Sequence, residues 1–487
     1  MTDGKPGRGG DMTPEEFRMY GVQVIEMIAD YLAHLEDRPV LSQEAPGAIQ
    51  ARLPQAAPET PQPMEAILED VREIVLPGLT HWNHPGFLAY FANSAPGAGI
   101  LAEALCAAFN QNGMLWKTSP VATEMEEVAT GWLGQIMGLP SAWRGIICDT
   151  ASTASLLALA AARERLPGLN IREEGLSGRA EVPRLRVYAS EQAHSSIEKA
   201  AITLGIGRRG VRKIATDAAL RMDPDALAAA IEEDRQQGWA PCGVVGTVGT
   251  TSTTAIDPIA DIAAVCRKNG LWLHVDAAYG GAAGIVPEFR AVLDGCDLAD
   301  SLVVNPHKWL AVPMDCSVLF LAQPEELRRA FRLVPDYLVT EEETTNFMDW
   351  GFQLGRRFRA LKLWMTLRYF GHEGLAAMIR QHIHLARRFA EWVDAAPDFE
   401  RMMPAPFSVV CFRAHPEGLN DETRLEQLNT DLLRAVNASG EVYLSHTRLD
   451  GRYVLRLAIG NIHTEARHIA RAWELLNAQL SGSKHFV

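Results

Sequence analysis

The sequence predicts an α/β protein with a mostly parallel central sheet, a helical N-terminal arm and a smaller α+β C-terminal domain. Three observations carry this. From about residue 96 to 361, short apolar runs alternate with helical patterns, the signature of βα units. Two of those runs, Leu271-Trp272-Leu273-His274-Val275-Asp276 and Ser301-Leu302-Val303-Val304, end beside ionisable side chains. Beyond Phe358 helical patterns dominate, with strands expected only at Ser408–Arg413 and Tyr453–Ile459. The expected domains are therefore 1–95, 96–361 and 362–487.

The arm begins at Thr13-Pro14-Glu15-Glu16, where Thr serves as N-cap, Pro takes the first turn and acids face the helix dipole. Phe17, Val24, Ile28, Tyr31, Leu32 and Leu35 then recur at helical spacing. Pro39 to Pro63 reads as an extended connector, and a second helix is expected near Met64 to Leu76. Two helices and a strap cannot bury their own apolar faces, so the arm should pack on another surface, plausibly a partner subunit. In the central part, strands are expected at Gly145–Cys148, Leu185–Ala189, Gly243–Thr247, Leu271–Asp276 and Ser301–Val304. Helices are expected at Ala154–Glu164 and Asp257–Lys268.

Composition narrows the function classes. The chain has 487 residues, 47% hydrophobic and 22% charged, which fits a globular protein with a large core. A net charge of −14 without a basic cluster argues against a nucleic-acid partner. The seven cysteines show no C-x-x-C spacing, and no H-E-x-x-H occurs, so neither a disulfide framework nor a metal site is expected. The polar N-terminus lacks a signal-peptide core, and the most apolar stretch, Ala95 to Phe109, is short and broken by Glu103. These features point to the cytoplasm and to no membrane partner.

The chemistry is legible at the strand ends. Lys308, in Asn305-Pro306-His307-Lys308-Trp309, follows a buried strand and is crowded by Trp309 and Leu310. Desolvation lowers a lysine pKa, and a neutral amine attacks carbonyls. The alternative is a loop lysine bent into solvent. Asp276, alone, reads equally as a strand-end cap or ion-pair partner. Together, at the carboxyl edge of a parallel sheet, the two form the pair that pyridoxal phosphate requires: a lysine for its aldehyde and a carboxylate for its ring nitrogen. The small residues of Ala277-Ala278-Tyr279-Gly280-Gly281 are expected to let a flat group approach the backbone. Asp149-Thr150-Ala151-Ser152-Thr153-Ala154 opens a helix and reads as a phosphate cradle or as an ordinary N-cap. His194 after Leu185–Ala189 reads as a ring-stacking residue or a structural histidine. The hydroxyls of Gly246-Thr247-Val248-Gly249-Thr250-Thr251 read as cofactor contacts or a plain turn.

Taken in order, Ala193-His194-Ser195-Ser196, Gly249-Thr250-Thr251, His274-Val275-Asp276-Ala277-Ala278-Tyr279 and Asn305-Pro306-His307-Lys308-Trp309-Leu310 resemble the pyridoxal-phosphate-dependent group II amino-acid decarboxylases, most closely the aromatic L-amino-acid decarboxylases. Further matches, from Trp82-Asn83-His84-Pro85 to Val454-Leu455-Arg456-Leu457, extend the likeness over nearly the whole chain. The resemblance implies a fold-type I, aspartate aminotransferase-like enzyme working as a homodimer with shared active sites. It implies that Lys308 carries the cofactor as a Schiff base, that Asp276 pairs with the ring nitrogen and that His194 stacks on the ring. Ala151, Ser152, Asn305 and His307 would lie on the phosphate side, and Thr251 would also touch the cofactor. Tyr337, in Val334-Pro335-Asp336-Tyr337-Leu338, would be the proton donor that favours simple decarboxylation over aldehyde synthesis; its alternative is surface packing. The substrate wall would comprise Trp82, Tyr90, Phe91, Asn93, Asn112, Met114 and Gly355. Asn93, Asn112 and Met114 depart from the family pattern, while Gly355 leaves room for a bulky or indole ring where some relatives carry serine. Asp149 replaces a usual glycine and is unfavourable near a phosphate unless it caps the helix or points away. Arg456 would hold a carboxylate or form an ion pair within the C-terminal domain. The expected reaction converts tryptophan, DOPA, tyrosine or phenylalanine to the amine and CO2; a non-aromatic substrate or an aldehyde product is the alternative.

Overall fold

The computed structural model describes residues 10–333 and 344–483, so Tyr337 lies outside the described residues. The first helix, Pro14–Ala33, starts where the sequence places it. Thr13 Oγ1 accepts the Glu16 N–H (3.2 Å) and Glu16 Oε2 accepts the Thr13 N–H (2.8 Å), a reciprocal capping box. The helix has no buried residue, and Phe17 and Val22 are 66% and 57% exposed. The connector is not wholly extended, because Ala48–Arg52 forms a helical turn. The helix from Met64 changes form: it is α-helical to Asp70, widens to a π turn over Val71–Val75, and closes over Leu76–Gly78. Pro77 has no N–H to give Glu73, and Arg52 Nη2 donates to that carbonyl instead. The chain then forms β1 (Phe87–Leu88).

The central sheet comprises β2 (Arg144–Cys148), β3 (Arg184–Ser190), β4 (Val211–Ile214), β5 (Trp239–Thr247), β6 (Trp272–Asp276), β7 (Ser301–Val304) and β8 (Ser317–Leu321). Their order is β2-β8-β7-β6-β5-β3-β4, and every pairing is parallel except the two made by β8. The antiparallel β8 and the short β4 are additions to the expected strands. Ser317-Val318-Leu319-Phe320-Leu321 is fully buried, which explains how five residues suffice to hold the sheet together there.

Helices cover both faces. Ile262, Ala263 and Cys266 of the helix Ile259–Asn269 pack with Val244, Leu273 and Val275 on one side. Ala154, Leu157 and Ala158 of the helix Ala151–Glu164 pack with Ile146, Val303 and Leu319 on the other. That helix begins three residues earlier than its apolar pattern predicts, because Ala151, Ser152 and Thr153 enter the first turn.

The helix Ala360–Ala395 links the two layers, with non-helical backbone at Gly371 (φ 64°, ψ 173°). Beyond it lie β9 (Phe399–Arg401), β10 (Val409–Ala414), β11 (Tyr443–Leu449) and β12 (Arg452–Ala458). They form a second sheet ordered β1-β11-β12-β10-β9. The arm thus contributes a strand to the C-terminal sheet: Phe87 and Leu88 pair in parallel with Tyr443 and Leu444. Among the described residues no helix is long and apolar enough to cross a membrane, and no group of metal-ligating side chains occurs.

Candidate active site

Four strands deliver polar side chains to one edge of the central sheet. Register places Thr247 beside Asp276 and Asp276 beside Val303, two residues before Asn305. Ser190 closes β3 next to β5. Lys308 follows β7 in the single turn Pro306–Trp309.

The two expected anchors therefore lie close enough to interact at this edge. Burial pushes the Lys308 amine pKa down, Asp276 pulls it back up and Arg456 lowers it again. Asp276 is buried, with Oδ1 accepting the Ala278 N–H (3.1 Å). Directly below it, His274 is locked between two serines: Nε2 lies 3.1 Å from Ser155 Oγ and Nδ1 lies 2.9 Å from Ser301 Oγ. Burial pushes His274 down to about 4, so a neutral ring holds β6 to the helix Ala151–Glu164.

His194 senses both anchors electrostatically; burial lowers its pKa, Asp276 raises it and Lys308 lowers it. Its Nδ1 accepts the Ser196 N–H (3.2 Å) and lies 2.9 Å from Ser196 Oγ. The neutral ring therefore carries its proton on Nε2. His307 is fixed the same way, with Nδ1 accepting the Cys316 N–H (3.0 Å), and burial drives it down to about 4.

Ala151 and Ser152 occupy the first turn of their helix, whose opening N–H groups lack intrahelical partners. Asp149 Oδ1 accepts the N–H of its neighbour Thr150 (2.6 Å), and Thr150, the N-cap, makes no side-chain cap bond.

Among the small residues after Asp276, the two glycines are packed against the protein itself. A Cβ on Gly280 would meet the Val248 carbonyl oxygen at 2.5 Å, and one on Gly281 would meet the Ala277 Cβ at 2.9 Å. Their smallness lets Gly280 and Gly281 pack against Val248 and Ala277. Thr251 is exposed on that loop, while Thr250 is buried and accepts the Ala255 N–H (3.0 Å).

Three buried atoms at this edge have no partner among the described residues: Ser190 Oγ, Thr247 Oγ1 and Asn305 Oδ1. Buried polar groups are ordinarily satisfied, so unpaired hydroxyls and an amide around a lysine and an aspartate fit a polar, phosphorylated ligand. Thr247 lies in the hydroxyl stretch expected to touch the cofactor; Ser190 was not singled out, although it is the last residue of a strand at the same edge.

Of the two roles expected of Arg456, the ion pair within the C-terminal domain is not found: the side chain forms no ion pair among the described residues. Instead Nε donates to the Ser252 carbonyl (3.1 Å) and Nη1 to the Tyr90 carbonyl (2.6 Å).

The expected substrate residues divide into two groups. Phe91 stacks on Tyr279 (3.8 Å between centroids), which stacks on Trp309 (4.6 Å), and Lys308 Nζ lies 5.0 Å from the Phe91 centroid. Trp82 and Tyr90 lie stacked at 6.1 Å, and Tyr90 Oη is 3.3 Å from Tyr443 Oη. Asn93 Nδ2 is 3.6 Å from Met314 Sδ. The second group is tied to itself. Asn112 Oδ1 accepts the Arg356 N–H (2.9 Å), a Cβ on Gly355 would sit 3.9 Å from Asn112 Nδ2, and the Met114 carbonyl accepts the Met348 N–H (3.2 Å). Among the described residues, no hydrogen bond or ring contact joins Asn112, Met114 or Gly355 to Lys308, Asp276 or His194.

Residues 46–415 match the pyridoxal-dependent decarboxylase conserved domain. The chain belongs to that family. The decarboxylase is 42% identical over 485 residues to the tryptophan decarboxylase TDC2 of Camptotheca acuminata, covering 96% of this chain and 95% of the relative. It is 41% identical to tyrosine decarboxylase 3 of Petroselinum crispum, covering 96% and 92%. It is also 40% identical to a phenylacetaldehyde synthase of Arabidopsis thaliana, covering 97% and 98%. Among solved structures, it superposes on Oryza sativa TDC with PLP and tryptamine with a TM-score of 0.92 at 36% identity, covering 97% of this chain and 99% of the other. Catharanthus roseus tryptophan decarboxylase in complex with L-tryptophan gives a TM-score of 0.90 at 37% identity, covering 97% and 99%. The decarboxylase is therefore a pyridoxal-phosphate-dependent amino-acid carboxy-lyase of the fold-type I architecture.

Proposed function

We propose that this chain decarboxylates an aromatic L-amino acid (tryptophan, DOPA, tyrosine or phenylalanine) to the arylalkylamine and CO2. The observation that carries this reading is the aromatic wall beside the lysine: Phe91 next to Lys308, and the Trp82–Tyr90 pair on the same rim. Aromatic surfaces at that position suit a flat apolar side chain.

When bound, pyridoxal phosphate supplies the electron sink that makes loss of a carboxylate feasible. The chain's residues do the rest. Lys308 Nζ, kept short of protons by burial, would be the covalent anchor. Asp276 would pair with the ring nitrogen, and His194, which presents Nε2–H, would stack on the ring. The N-terminal turn at Ala151 and Ser152, with Asn305 and the neutral His307, forms the phosphate end, where backbone N–H groups and the helix dipole favour an anion. Thr251 would border the cofactor, and Tyr337 would supply the proton that favours the amine product.

The second group, Asn112, Met114 and Gly355, enters this scheme through a second copy of the chain. A homodimer with shared sites accounts both for the lack of contact between that group and Lys308 among the described residues and for the helix Pro14–Ala33, none of whose residues is fully buried. The seven cysteines, all free and buried, suit a reducing cytoplasmic setting.

A second reading, aldehyde synthesis, is raised by the phenylacetaldehyde synthase relative. One experiment tests both. The purified protein is charged with pyridoxal phosphate and mixed with each of the four amino acids, and the visible spectrum and product mass are followed. A spectral change with one of them and the matching amine supports the proposal. Aldehyde with ammonia and peroxide supports the second reading, and absence of response to every aromatic refutes both.

A further inference from the structure

Arg456, on β12, is a buried charge that the roles above leave unused. It is 4% exposed, and Nη2 is buried without a hydrogen-bond partner among the described residues. The groups that face it, Cys411 and Tyr279, are neutral. Keeping an unpaired guanidinium away from water is unfavourable, so such an arrangement persists only where the surroundings impose it.

What surrounds it is the lysine site. The guanidinium carbon lies 4.7 Å from the Phe91 centroid, and Lys308 Nζ lies 5.0 Å from the same centroid. The guanidinium and the lysine amine therefore stand no more than about 10 Å apart beside one ring, inside a region of low dielectric. The hydrogen bonds of Arg456 run to the carbonyls of Tyr90 and Ser252, on two loops. Tyr90 adopts a left-handed backbone (φ 48°), which its Cβ disfavours and which needs such an external hold.

We propose that Arg456 is a positioning residue of the lysine site: its fixed positive charge repels a proton from Lys308 Nζ, and its fork holds the Tyr90–Phe91 segment against that amine. The inference rests on the reading of Lys308 as the covalent anchor. The groups facing Lys308 are Asp276 from β6, which attracts a proton, and Arg456, which opposes it; His194 and His307 in turn feel the lysine as a nearby charge. At about 10 Å and an effective dielectric near 20, one fixed charge displaces a neighbour's titration by about one pH unit.

The test compares full-length wild type, Arg456→Gln and Arg456→Lys by two readouts. One is the pH dependence of Lys308 reductive methylation in cofactor-free protein, read by peptide mass. The other is the pH dependence of the visible absorbance of bound pyridoxal phosphate. In Arg456→Gln both midpoints should rise by about one unit, while Arg456→Lys keeps the wild-type midpoints and raises KM for the aromatic substrate through loss of the fork. Unchanged midpoints in a folded Arg456→Gln protein would overturn the proposal. If that variant does not fold, a full-unit rise in Arg456→Lys, where the charge is kept, overturns it instead. Failure of borohydride to fix the cofactor on the Lys308 peptide of wild type would defeat the anchor reading alone, since the methylation readout needs no cofactor.

Discussion

Acidification should unfold this chain through its buried histidines, and His274 shows how large the effect is. The ring is fully buried between Ser155 and Ser301, directly beneath Asp276, and its pKa falls from 6.5 to about 4. A histidine with a depressed folded pKa binds a proton more readily in the unfolded chain. Stability is therefore fully present above pH 6.5 and is lost as pH falls toward 4. The gap corresponds to about 3 kcal/mol for this one ring. His307 and His382, also buried and lowered to about 4, act in the same direction. Asp257, raised to about 6 by burial, opposes them because the folded state takes up its proton first. The assay is urea unfolding at fixed protein and cofactor concentration across about pH 7 to 4.5, in wild type and His274→Gln. Glutamine keeps hydrogen bonds to both serines but does not titrate. The variant should lose up to about 1.4 kcal/mol per pH unit from the slope of stability against pH in that window. An identical slope in the two proteins would refute the assignment of His274 as a buried neutral ring.

The remaining predictions concern the site and its frame. Lys308→Ala should still fold but retain no cofactor after borohydride reduction, by mass spectrometry, and should lose turnover. Arg356→Met should lower stability by about 3–5 kcal/mol in thermal or urea unfolding, because it strands Glu126, its buried partner at 2.7 Å, whose Oε1 also accepts the Ile147 N–H; an effect under about 1 kcal/mol contradicts this. Gly355→Ser has space beside Asn112 Nδ2, so the protein should fold normally while kcat/KM for L-tryptophan relative to L-tyrosine falls by roughly tenfold or more, a difference of about 1–3 kcal/mol.

The strand ends were readable because burial and chemistry coincide there. Leu271–Asp276 and Ser301–Val304 are apolar runs with no competing interpretation, and the reactive residue follows at once. β8 was missed although it is equally apolar, since its antiparallel direction follows from pairing with β2 and β7 and not from any local pattern. The arm's last strand was missed because two residues, Phe87 and Leu88, carry too little pattern to reveal a partner more than three hundred positions away.

Sequence by itself determined the α/β class, the Lys308–Asp276 pair, the capping of the first helix and the family resemblance, because each depends on residue type and short spacing. Tertiary structure decided the rest. It filled the space at Gly280 with Val248, left Ser190, Thr247 and Asn305 with unmet hydrogen-bonding capacity, and set Arg456 beside Lys308 without a carboxylate partner among the described residues. These outcomes depend on which backbone and which charge come within a few ångströms across the fold, and neither period nor composition encodes that distance.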